Sequence, residues 1–309
     1  MTRAPAGDAA TARGAVLEAT DRLVQSGGRL LVVSDFDGTL APISLEPMAT
    51  RILPAGRVAL RRLARISGER PERLAVVVLS GRTALDVAGR VRVGGLRYLG
   101  NHGVEGGTLP RGGRAERLSV ALDADLEAHA AEAGRIARTV ADRLGRPVWL
   151  FVEDKGPSVA FHFRGAADAD AARVALLAAI DEVETTEGGV GMVLLEGRRV
   201  VELRPAGAGH KGAAVARLLA ETGADAALML GDDRSDAEAF AVIRSARASG
   251  TIRDGLTVGV HGAAETPPEI MAVSDVVLTG PRDAARLLAR VARRIEAETV
   301  SAKARPRCA

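Results

Sequence analysis

The sequence predicts an α/β fold in which an antiparallel module interrupts a parallel-sheet domain. Short apolar runs alternate with helical segments in the first third of the chain, and the same alternation returns in the last third. Strands separated by helices imply right-handed crossovers and therefore a parallel sheet. In the middle third the order is helix, two strands, helix, two strands, which is typical of an antiparallel sheet with helices on one face. The predicted domains are a leader at 1–28 that is flexible or forms one short helix, a core at 29–107 and 205–309, and an inserted module at 108–204.

The two halves of the core share one pattern. In the first half the predicted strands are LLVVSD, LAVVVLSGR and LRYLGNHG, with helices near 55–66 and from Thr83. In the second half a helix in HKGAAVARLLAETG precedes the strand ALMLGDD, a helix follows from Ser235, and the strands LTVGV and DVVLTG precede a closing helix from Pro281. Such apolar runs are typical of strands buried on both faces. Folds of this kind bind their ligands at the carboxyl ends of the strands.

The inserted module has a pattern of its own. A long helix is predicted in SVALDADLEAHAAEAGRIARTVADRLG, two strands in PVWLFVED and SVAFHFR, a second helix in DADAARVALLAAIDEVE, and a hairpin in MVLLEGRRVVELR. The flanking segments GVEGGTLPRGGR and RPAGAGH are rich in Gly or Pro, which predicts linkers. An insertion between two such hinges indicates a lid.

Composition excludes several classes of partner. The chain has 309 residues and is 47% apolar, which is enough to bury a substantial core. Its 42 basic and 39 acidic residues give a net charge of only +3, and 2% of residues are aromatic, so nucleic-acid binding is not expected. The single Cys308 cannot form an internal disulfide, and no segment resembles a membrane span or a signal peptide. We expect a cytoplasmic protein without a membrane partner, and a monomer is compatible with the sequence.

Two carboxylates follow the first apolar run. Asp35 and Asp37 are two residues apart, so on an extended chain both side chains point the same way. Like charges this close are stabilised by a bound cation or by a raised pKa. The alternative is an aspartate turn in which Gly38 merely ends the strand.

Three further kinds of polar residue follow predicted strands or begin helices. Ser80 and Arg82 in LSGR offer a hydroxyl and a helix start that favours phosphate, although serine and glycine also form ordinary turns. Lys211 in HKG is one of three lysines in a chain that otherwise uses arginine, which indicates a need for a compact charge unless it is a surface residue.

An acidic cluster, Asp232, Asp233 and Asp236, follows another apolar run in GDDRSDAEAF. One of these acids could cap the next helix. A cap needs one acid and three are present, so the surplus indicates a hard cation such as Mg2+.

Together these segments resemble one enzyme family. DFDGTLAPI, SGR, GNHG, EDKGPSVAFHFR, VELRP, HKG and GDDRSDAEAF are similar to the motifs of the trehalose-6-phosphate phosphatase family in the haloacid dehalogenase (HAD) superfamily. The resemblance runs from about Leu31 to the final helix. It implies a Rossmann-like HAD core with an inserted α+β cap domain of type C2B, ordered αββαββ. It also implies a Mg2+-dependent hydrolase that removes phosphate from trehalose 6-phosphate in trehalose biosynthesis.

The resemblance also implies roles for individual residues. Asp35 would be the nucleophile that forms an aspartyl-phosphate, and Asp37, protonated at the first step, would be the general acid and then the base. Ser80 and Lys211 would surround the phosphate with positive charge. The implied Mg2+ ligands and their supporting acids are Asp35, Asp37 through its backbone carbonyl, Asp232, Asp233 and Asp236. The implied substrate contacts are Arg82, Asn101, Glu153, Lys155 and Glu202.

Some features depart from the family pattern or leave alternatives open. Ser235 and Ala237 stand where the family usually has Thr and Glu, so any duty of that glutamate is in doubt, and the leader has no family counterpart. His162 and Arg164 are expected to be structural. The core motifs also allow sucrose phosphate, a mannosylglycerate phosphate or a phosphosugar mutase reaction. A phosphoacceptor signalling module is a different class, and Asp37 and the insertion argue against it.

Overall fold

The computed structural model describes residues 6–44, 49–122, 124–187, 191–197, 199–206, 209–261 and 268–304. These residues form two compact units, one from the described parts of Met1–Val120 and Gly209–Ala309, the other from those of Ala121–Ala208. The first contains a largely parallel sheet and the second an antiparallel sheet, so the predicted α/β fold with an inserted α+β domain is confirmed.

The secondary-structure elements alternate between helices and strands through much of the chain. In order they are α1 (Ala6–Gln25), β1 (Leu30–Ser34), α2 (Pro54–Glu69), β2 (Leu74–Leu79), α3 (Ala84–Val91), β3 (Arg97–Gly100), β4 (Glu105–Thr108), β5 (Ala121–Leu122), α4 (Ala124–Arg143), β6 (Phe151–Asp154), β7 (Val159–His162), α5 (Ala169–Glu187), β8 (Met192–Gly197), β9 (Val200–Pro205), α6 (Lys211–Thr222), β10 (Ala226–Gly231), α7 (Arg234–Ala248), β11 (Asp254–Val260), α8 (Pro268–Val273), β12 (Val276–Leu278) and α9 (Pro281–Ala304). Across the described ranges, none of the helices combines the length and the apolarity that crossing a bilayer requires.

Strand β1 lies inside the sheet of the first unit. The strands of this unit are ordered β12, β11, β10, β1, β2, β3, β4, and β1 is parallel to both of its neighbours. Leu30 and Val32 pack into one apolar cluster with α1, α2, α3 and α9, whereas Leu31 and Val33 pack into another with α6, α7 and α8. Because side chains alternate between the two faces of a strand, helices on both faces require the continuous apolar run of β1.

The Gly-rich segment predicted as a linker instead extends this sheet. Strand β4 lies in it and pairs antiparallel with β3. A Cβ on Gly106 would lie 2.6 Å from the Tyr98 carbonyl oxygen, so a side chain is excluded there by close strand pairing. Leu109 and Leu118 are buried in the same apolar cluster as β1. The first unit therefore continues to Val120, beyond the predicted start of the module at 108.

Helix α1 accounts for most of the leader. Leu23 and Val24 are each 1% exposed and pack into the apolar cluster of the first unit. Asp21 accepts hydrogen bonds from Arg290 and from Arg294, both on α9. Residues 6–25 thus form one helix that packs against the core near its C-terminal end, while residues 1–5 lie outside the described part of the chain.

The second unit has the predicted order αββαββ, from α4 to β9. Its four-stranded sheet is ordered β6, β7, β9, β8, and every neighbouring pair is antiparallel. Alternate residues of the inner strands, such as Phe161 and Leu203, pack against Ile136 of α4 and Leu176 of α5. The unit therefore folds around a core of its own.

Candidate active site

The ends of three adjacent strands bring the predicted site residues of the first unit together. Asp35 directly follows β1, Ser80 follows β2 and Asp232 follows β10. The Asp35 backbone N–H donates to the Leu230 carbonyl oxygen at 2.9 Å, so the acid still belongs to the strand ladder. Since parallel neighbours end at one edge of a sheet, residues distant in sequence meet there.

Lys211 is the buried cation of the site. As the first residue of α6 it is only 1% exposed. Its Nζ donates to Asp35 Oδ1 at 2.7 Å and to Asp236 Oδ1 at 2.8 Å, and it lies 3.8 Å from Asp233 Oδ1. A buried ammonium needs such partners, because an unpaired charge inside a protein is costly.

Three buried carboxylates could hold a metal ion. Asp35, Asp232 and Asp236 each offer an oxygen, and these oxygens lie within 4.8 Å of one another. Gly38 has φ +75°, and a Cβ there would lie 1.9 Å from Asp232 Oδ2, so this acid occupies space that only glycine leaves open. Three carboxylates facing one lysine carry excess negative charge, and an all-oxygen donor set fits a hard cation such as Mg2+.

The acids of this cluster hold protons more tightly than usual. Burial raises the pKa of Asp35 to about 6, although Lys211 opposes the rise. Burial also raises the pKa values of Asp232 and Asp236 well above their ordinary range. Burial alone would lower the pKa of Lys211, but the surrounding acids raise it well above its usual value. The lysine therefore stays charged, and a cation entering the cluster would compete with protons for the carboxylates.

The loop between β10 and α7 is fixed by its own acids. Asp233 caps α7, with Oδ1 accepting from the Asp236 backbone N–H at 3.0 Å and from Ser235 Oγ at 2.7 Å. Asp236 Oδ2 accepts from the backbone N–H groups of Asp232 and Asp233 at 3.0 and 3.1 Å. Ala237 packs partly against an apolar cluster. Asp236 therefore supports the helix cap and also belongs to the carboxylate cluster, because one of its oxygens accepts from the loop and the other accepts from Lys211.

Asp37 lies outside the carboxylate cluster and pairs with Arg82. Arg82 Nε donates to Asp37 Oδ2 at 2.6 Å, and its Nη2 donates to Asp37 Oδ1 at 2.8 Å. Both oxygens of Asp37 therefore accept from the same guanidinium, which fixes the plane of the carboxyl group. Arg82, which was expected to contact the substrate, thus contacts Asp37, the expected general acid.

The GNHG motif holds the SGR loop in place. The Asn101 N–H donates to the Arg82 carbonyl oxygen at 2.8 Å, and the His102 N–H donates to the Ser80 carbonyl oxygen at 2.9 Å. Asn101 and His102 have φ of 49° and 59°, values that cost energy outside glycine and mark a turn held by its surroundings. Ser80 and Asn101 are both buried at this edge of the core.

The expected sugar contacts of the second unit lie on its sheet and already form ion pairs. Lys155 Nζ donates to Glu202 Oε2 at 2.9 Å. Glu153 Oε2 lies 2.9 Å from His162 Nε2, so His162, expected to be structural, touches a predicted site residue. The strand register aligns Glu153, Ala160 and Glu202 in one row, which places the two carboxylates on one face of the sheet.

Several residues that support this site were not predicted from the sequence. Thr39 Oγ1 donates to Asp232 Oδ1 at 3.2 Å. Asp86 accepts from Arg82 and from Arg90, and a signal for that contact is the spacing of four between Asp86 and Arg90 on one helix. No sequence rule ties Arg82 to Asp37, 45 positions earlier.

Comparison with known proteins agrees with this geometry. The family model described as trehalose-phosphatase matches residues 33–267. A trehalose-phosphate phosphatase of Mycobacterium avium is 35% identical over 230 residues, which cover 73% of this chain and 54% of that protein. The chain therefore spans about half the length of that relative, and it spans 16% of a longer Mycobacterium tuberculosis protein described as an uncharacterized glycosyl hydrolase, to which it is 36% identical over 226 residues, or 71% of this chain.

Solved structures share the fold. The C-terminal domain of a Candida albicans trehalose-6-phosphate phosphatase has a TM-score of 0.66 at 19% identity, covering 91% of this chain and 97% of that one. A haloacid dehalogenase-like hydrolase from Bacteroides thetaiotaomicron has a TM-score of 0.55 at 17% identity, covering 85% of this chain and 99% of that one. These structures thus share the fold that the sequence predicts.

Proposed function

The chain belongs to the trehalose-phosphatase family, and from that membership we propose that it hydrolyses trehalose 6-phosphate to trehalose and inorganic phosphate. The observation that carries the proposal is the buried group of Asp35, Lys211, Asp232 and Asp236 at the carboxyl edge of the sheet. Such a group combines an acid that can attack phosphorus with fixed positive charge that can attract a phosphate.

Mg2+ is the proposed cofactor. Asp35, Asp232 and Asp236 would hold it, with the backbone carbonyl of Asp37 as a further ligand. Bound there, the ion would neutralise the repulsion between a phosphate dianion and the attacking carboxylate. Asp233 would support the site by fixing the position of Asp236 through the helix cap.

The first step transfers the phosphoryl group to the enzyme. A carboxylate oxygen of Asp35 forms a bond to phosphorus while the bond from phosphorus to the sugar oxygen breaks. Asp37 gives its proton to that leaving oxygen, so trehalose departs as a neutral alcohol. Lys211 stays charged beside Asp35 and, with the turn at Ser80, stabilises the negative charge on the phosphoryl oxygens.

The second step returns the enzyme to its starting state. Asp37, now a carboxylate, takes a proton from a water molecule whose oxygen attacks the phosphorus of the aspartyl-phosphate. The bond from phosphorus to Asp35 breaks, and inorganic phosphate leaves. Arg82 donates to both oxygens of Asp37 and therefore fits the carboxylate that this step begins with.

We assign the choice of sugar to Glu153, Lys155, Glu202 and Asn101. Charged and amide groups select a polyhydroxyl ligand strongly, because a ligand without the matching hydroxyl leaves them unpaired. The support for this assignment within the second unit is that Lys155 and Glu202 are 8% and 14% exposed and meet at 2.9 Å.

The test is phosphate release from trehalose 6-phosphate, sucrose 6-phosphate and glucose 6-phosphate, each with Mg2+ and with EDTA. We expect Mg2+-dependent release with a strong preference for trehalose 6-phosphate and none from Asp35→Asn. A Mg2+-dependent preference for another sugar would remove the assigned roles of the second unit and leave those of the core. No release from any substrate would contradict the proposed function.

A further inference from the structure

We propose that Asp86 and Arg90 are positioning residues for proton transfer, and that they act on Asp37 through Arg82. The inference rests on the proposed function, because it concerns the group that would protonate the leaving sugar. It is carried by a row of alternating charges that runs from the site into helix α3. The row consists of Asp37, Arg82, Asp86 and Arg90.

The Arg82 guanidinium is shared between two acids. Two of its nitrogens donate to Asp37, at 2.6 and 2.8 Å, and the third, Nη1, donates to Asp86 Oδ2 at 3.1 Å. The Arg82 side chain is only 11% exposed, and its guanidinium carbon lies 5.8 Å from the ring centre of Phe36. Because the guanidinium is planar, the bond to Asp86 fixes the direction in which the other two nitrogens point.

Asp86 is itself held from behind by a buried arginine. Arg90 Nε donates to Asp86 Oδ2 at 2.7 Å, and Arg90 is 5% exposed. Its Nη1 donates to the carbonyl oxygen of Thr50 at 2.9 Å. The Asp86 N–H also donates to Thr83 Oγ1 at 3.2 Å, which fixes the first turn of α3. Each member of the row is therefore oriented by the next, and the last one is anchored in the core.

Both steps need the Asp37 carboxyl group at a fixed position, beside the leaving oxygen in the first step and beside the attacking water in the second. The Asp37 side chain is 39% exposed, and both of its oxygens are held by Arg82. A general acid must stay within hydrogen-bond reach of the leaving oxygen. Loss of the Asp86 charge would remove one of the bonds that orient the Arg82 plane, so Asp37 would be held less precisely while the cluster around Lys211 stayed in place.

The test compares two substrates that differ in their need for an acid. A sugar alkoxide leaves phosphorus only with a proton, whereas p-nitrophenolate leaves p-nitrophenyl phosphate without one. The measured quantity is kcat/KM, because it covers the steps only as far as departure of the leaving group. For Asp86→Asn we expect kcat/KM to fall by about 10- to 100-fold with trehalose 6-phosphate, within the range that general acid catalysis contributes. With p-nitrophenyl phosphate we expect a change of less than about threefold.

Asp37→Asn and a matched control complete the experiment. In an Asp37→Asn background, adding Asp86→Asn should lower kcat/KM little further, because both changes remove the same step. Asp142→Asn breaks an Asp–Arg pair of the same spacing, between Asp142 on α4 and Arg146 just after the helix, with side chains 58% and 67% exposed, and should change kcat/KM for neither substrate. If Asp86→Asn does not fold, Arg90→Lys keeps the charge but loses the fork, and the same substrate-dependent loss is expected.

Equal losses with both substrates would mean a merely structural role and would overturn the inference, as would no loss with either. These results would leave the proposed function standing. If the wild-type protein released no phosphate from trehalose 6-phosphate, the proposed function would fail, and the comparison would use whichever alkyl phosphate it does hydrolyse. Hydrolysis of no alkyl phosphate would overturn both.

Discussion

The contacts of Lys211, one of three lysines in the chain, explain why a lysine and not an arginine lies in this part of the core. The compact ammonium of Lys211 donates to Asp35 and Asp236 at once while the residue is 1% exposed, whereas the planar fork of a guanidinium would need more room. With one cation among three clustered acids, the remaining negative charge is balanced by protons or by a metal ion. The protonation of the acids and the binding of the ion are therefore linked.

We expect Mg2+ affinity to depend steeply on pH. Burial raises the pKa of Asp35 to about 6, so this acid binds a proton below that pH and is free to bind a cation above it. Affinity should therefore fall by about tenfold per pH unit for each displaced proton as the pH is lowered below about 6. Isothermal titration calorimetry in two buffers of different ionisation enthalpy would count the protons released. Binding that is independent of pH between about 5 and 7 would contradict this linkage.

Gly38→Ala should abolish metal binding, because the new Cβ would occupy the position of the Asp232 carboxylate, 1.9 Å away. Gly250→Ala is the matched control, since its φ is +76° against +75° for Gly38 and no atom lies within 4 Å of its added Cβ. Both variants should lose about 1–2 kcal/mol of stability through left-handed backbone strain. Only the first should lose Mg2+ binding and activity. Equal metal affinities in the two variants would show that Asp232 is not required.

The carboxylate site could be predicted from single residues, because the strand order of the sheet determines which strand ends lie side by side. Asp35, Ser80 and Asp232 each end an apolar run, and parallel neighbours must end at one edge. The bond from Arg82 to Asp37 could not be foreseen, because it depends on the rotamers of two long-range partners. The sequence offers their identities but no distance between them.

At the scale of elements, the periodicity of apolar residues predicted most helices and strands, because the pattern of buried positions sets that periodicity. Strand β4 was not predicted, because its glycines carry no apolar pattern. Close pairing with β3 is nevertheless what requires these glycines. The packing of α1 could not be predicted either, because an amphipathic stretch near a terminus does not reveal which element it packs against. In the structure that partner is α9, and Asp21 makes the connection.

Asp21→Asn should lower the free energy of unfolding by about 1–2 kcal/mol near neutral pH, because it removes a carboxylate shared by two guanidinium groups. Hydrogen bonds from Arg294 and Arg290, working against burial, hold the pKa of Asp21 well below its ordinary value. A lowered folded-state pKa contributes stability that is present above the unfolded value of about 4 and is lost as the pH falls further.

Urea denaturation of both proteins from about pH 7 to pH 3 would test this. The stability difference should be constant down to about pH 5 and should shrink below about pH 4. A difference that grows on acidification would have the wrong sign. Asp283→Asn, which breaks a more exposed pair with Arg286 on α9 itself, is the control and should change stability by less than about 0.5 kcal/mol.

At the scale of the whole molecule, the two units carry different parts of the proposed reaction. The carboxylate cluster, Lys211 and the Arg82 row all belong to the first unit. The second unit folds around its own apolar core and offers no carboxylate cluster of the metal-binding kind among its described residues. Chemistry and sugar selection should therefore be separable by mutation.

Glu202→Gln is the sharpest test of this division. The change removes the partner of Lys155, whose side chain is 8% exposed, and with it one proposed contact to the sugar. We expect KM for trehalose 6-phosphate to rise about 10- to 100-fold, since a hydrogen bond to a charged group contributes about 1.5–3 kcal/mol. Hydrolysis of p-nitrophenyl phosphate, which has no sugar, should be unchanged.

Glu196→Gln provides the control within the same sheet. Glu196 lies on the neighbouring strand β8 and pairs with Arg173 of α5, with both side chains at least 40% exposed. Its loss should leave KM for both substrates unchanged. The pair is exposed and therefore contributes little to stability, and it lies on the face of the sheet that the helices cover. If Glu202→Gln slowed both substrates equally, the second unit would be contributing to the chemistry itself, and the division of roles would have to be withdrawn. If Glu196→Gln raised KM as much as Glu202→Gln, the effect would reflect a disturbed sheet and not a lost sugar contact.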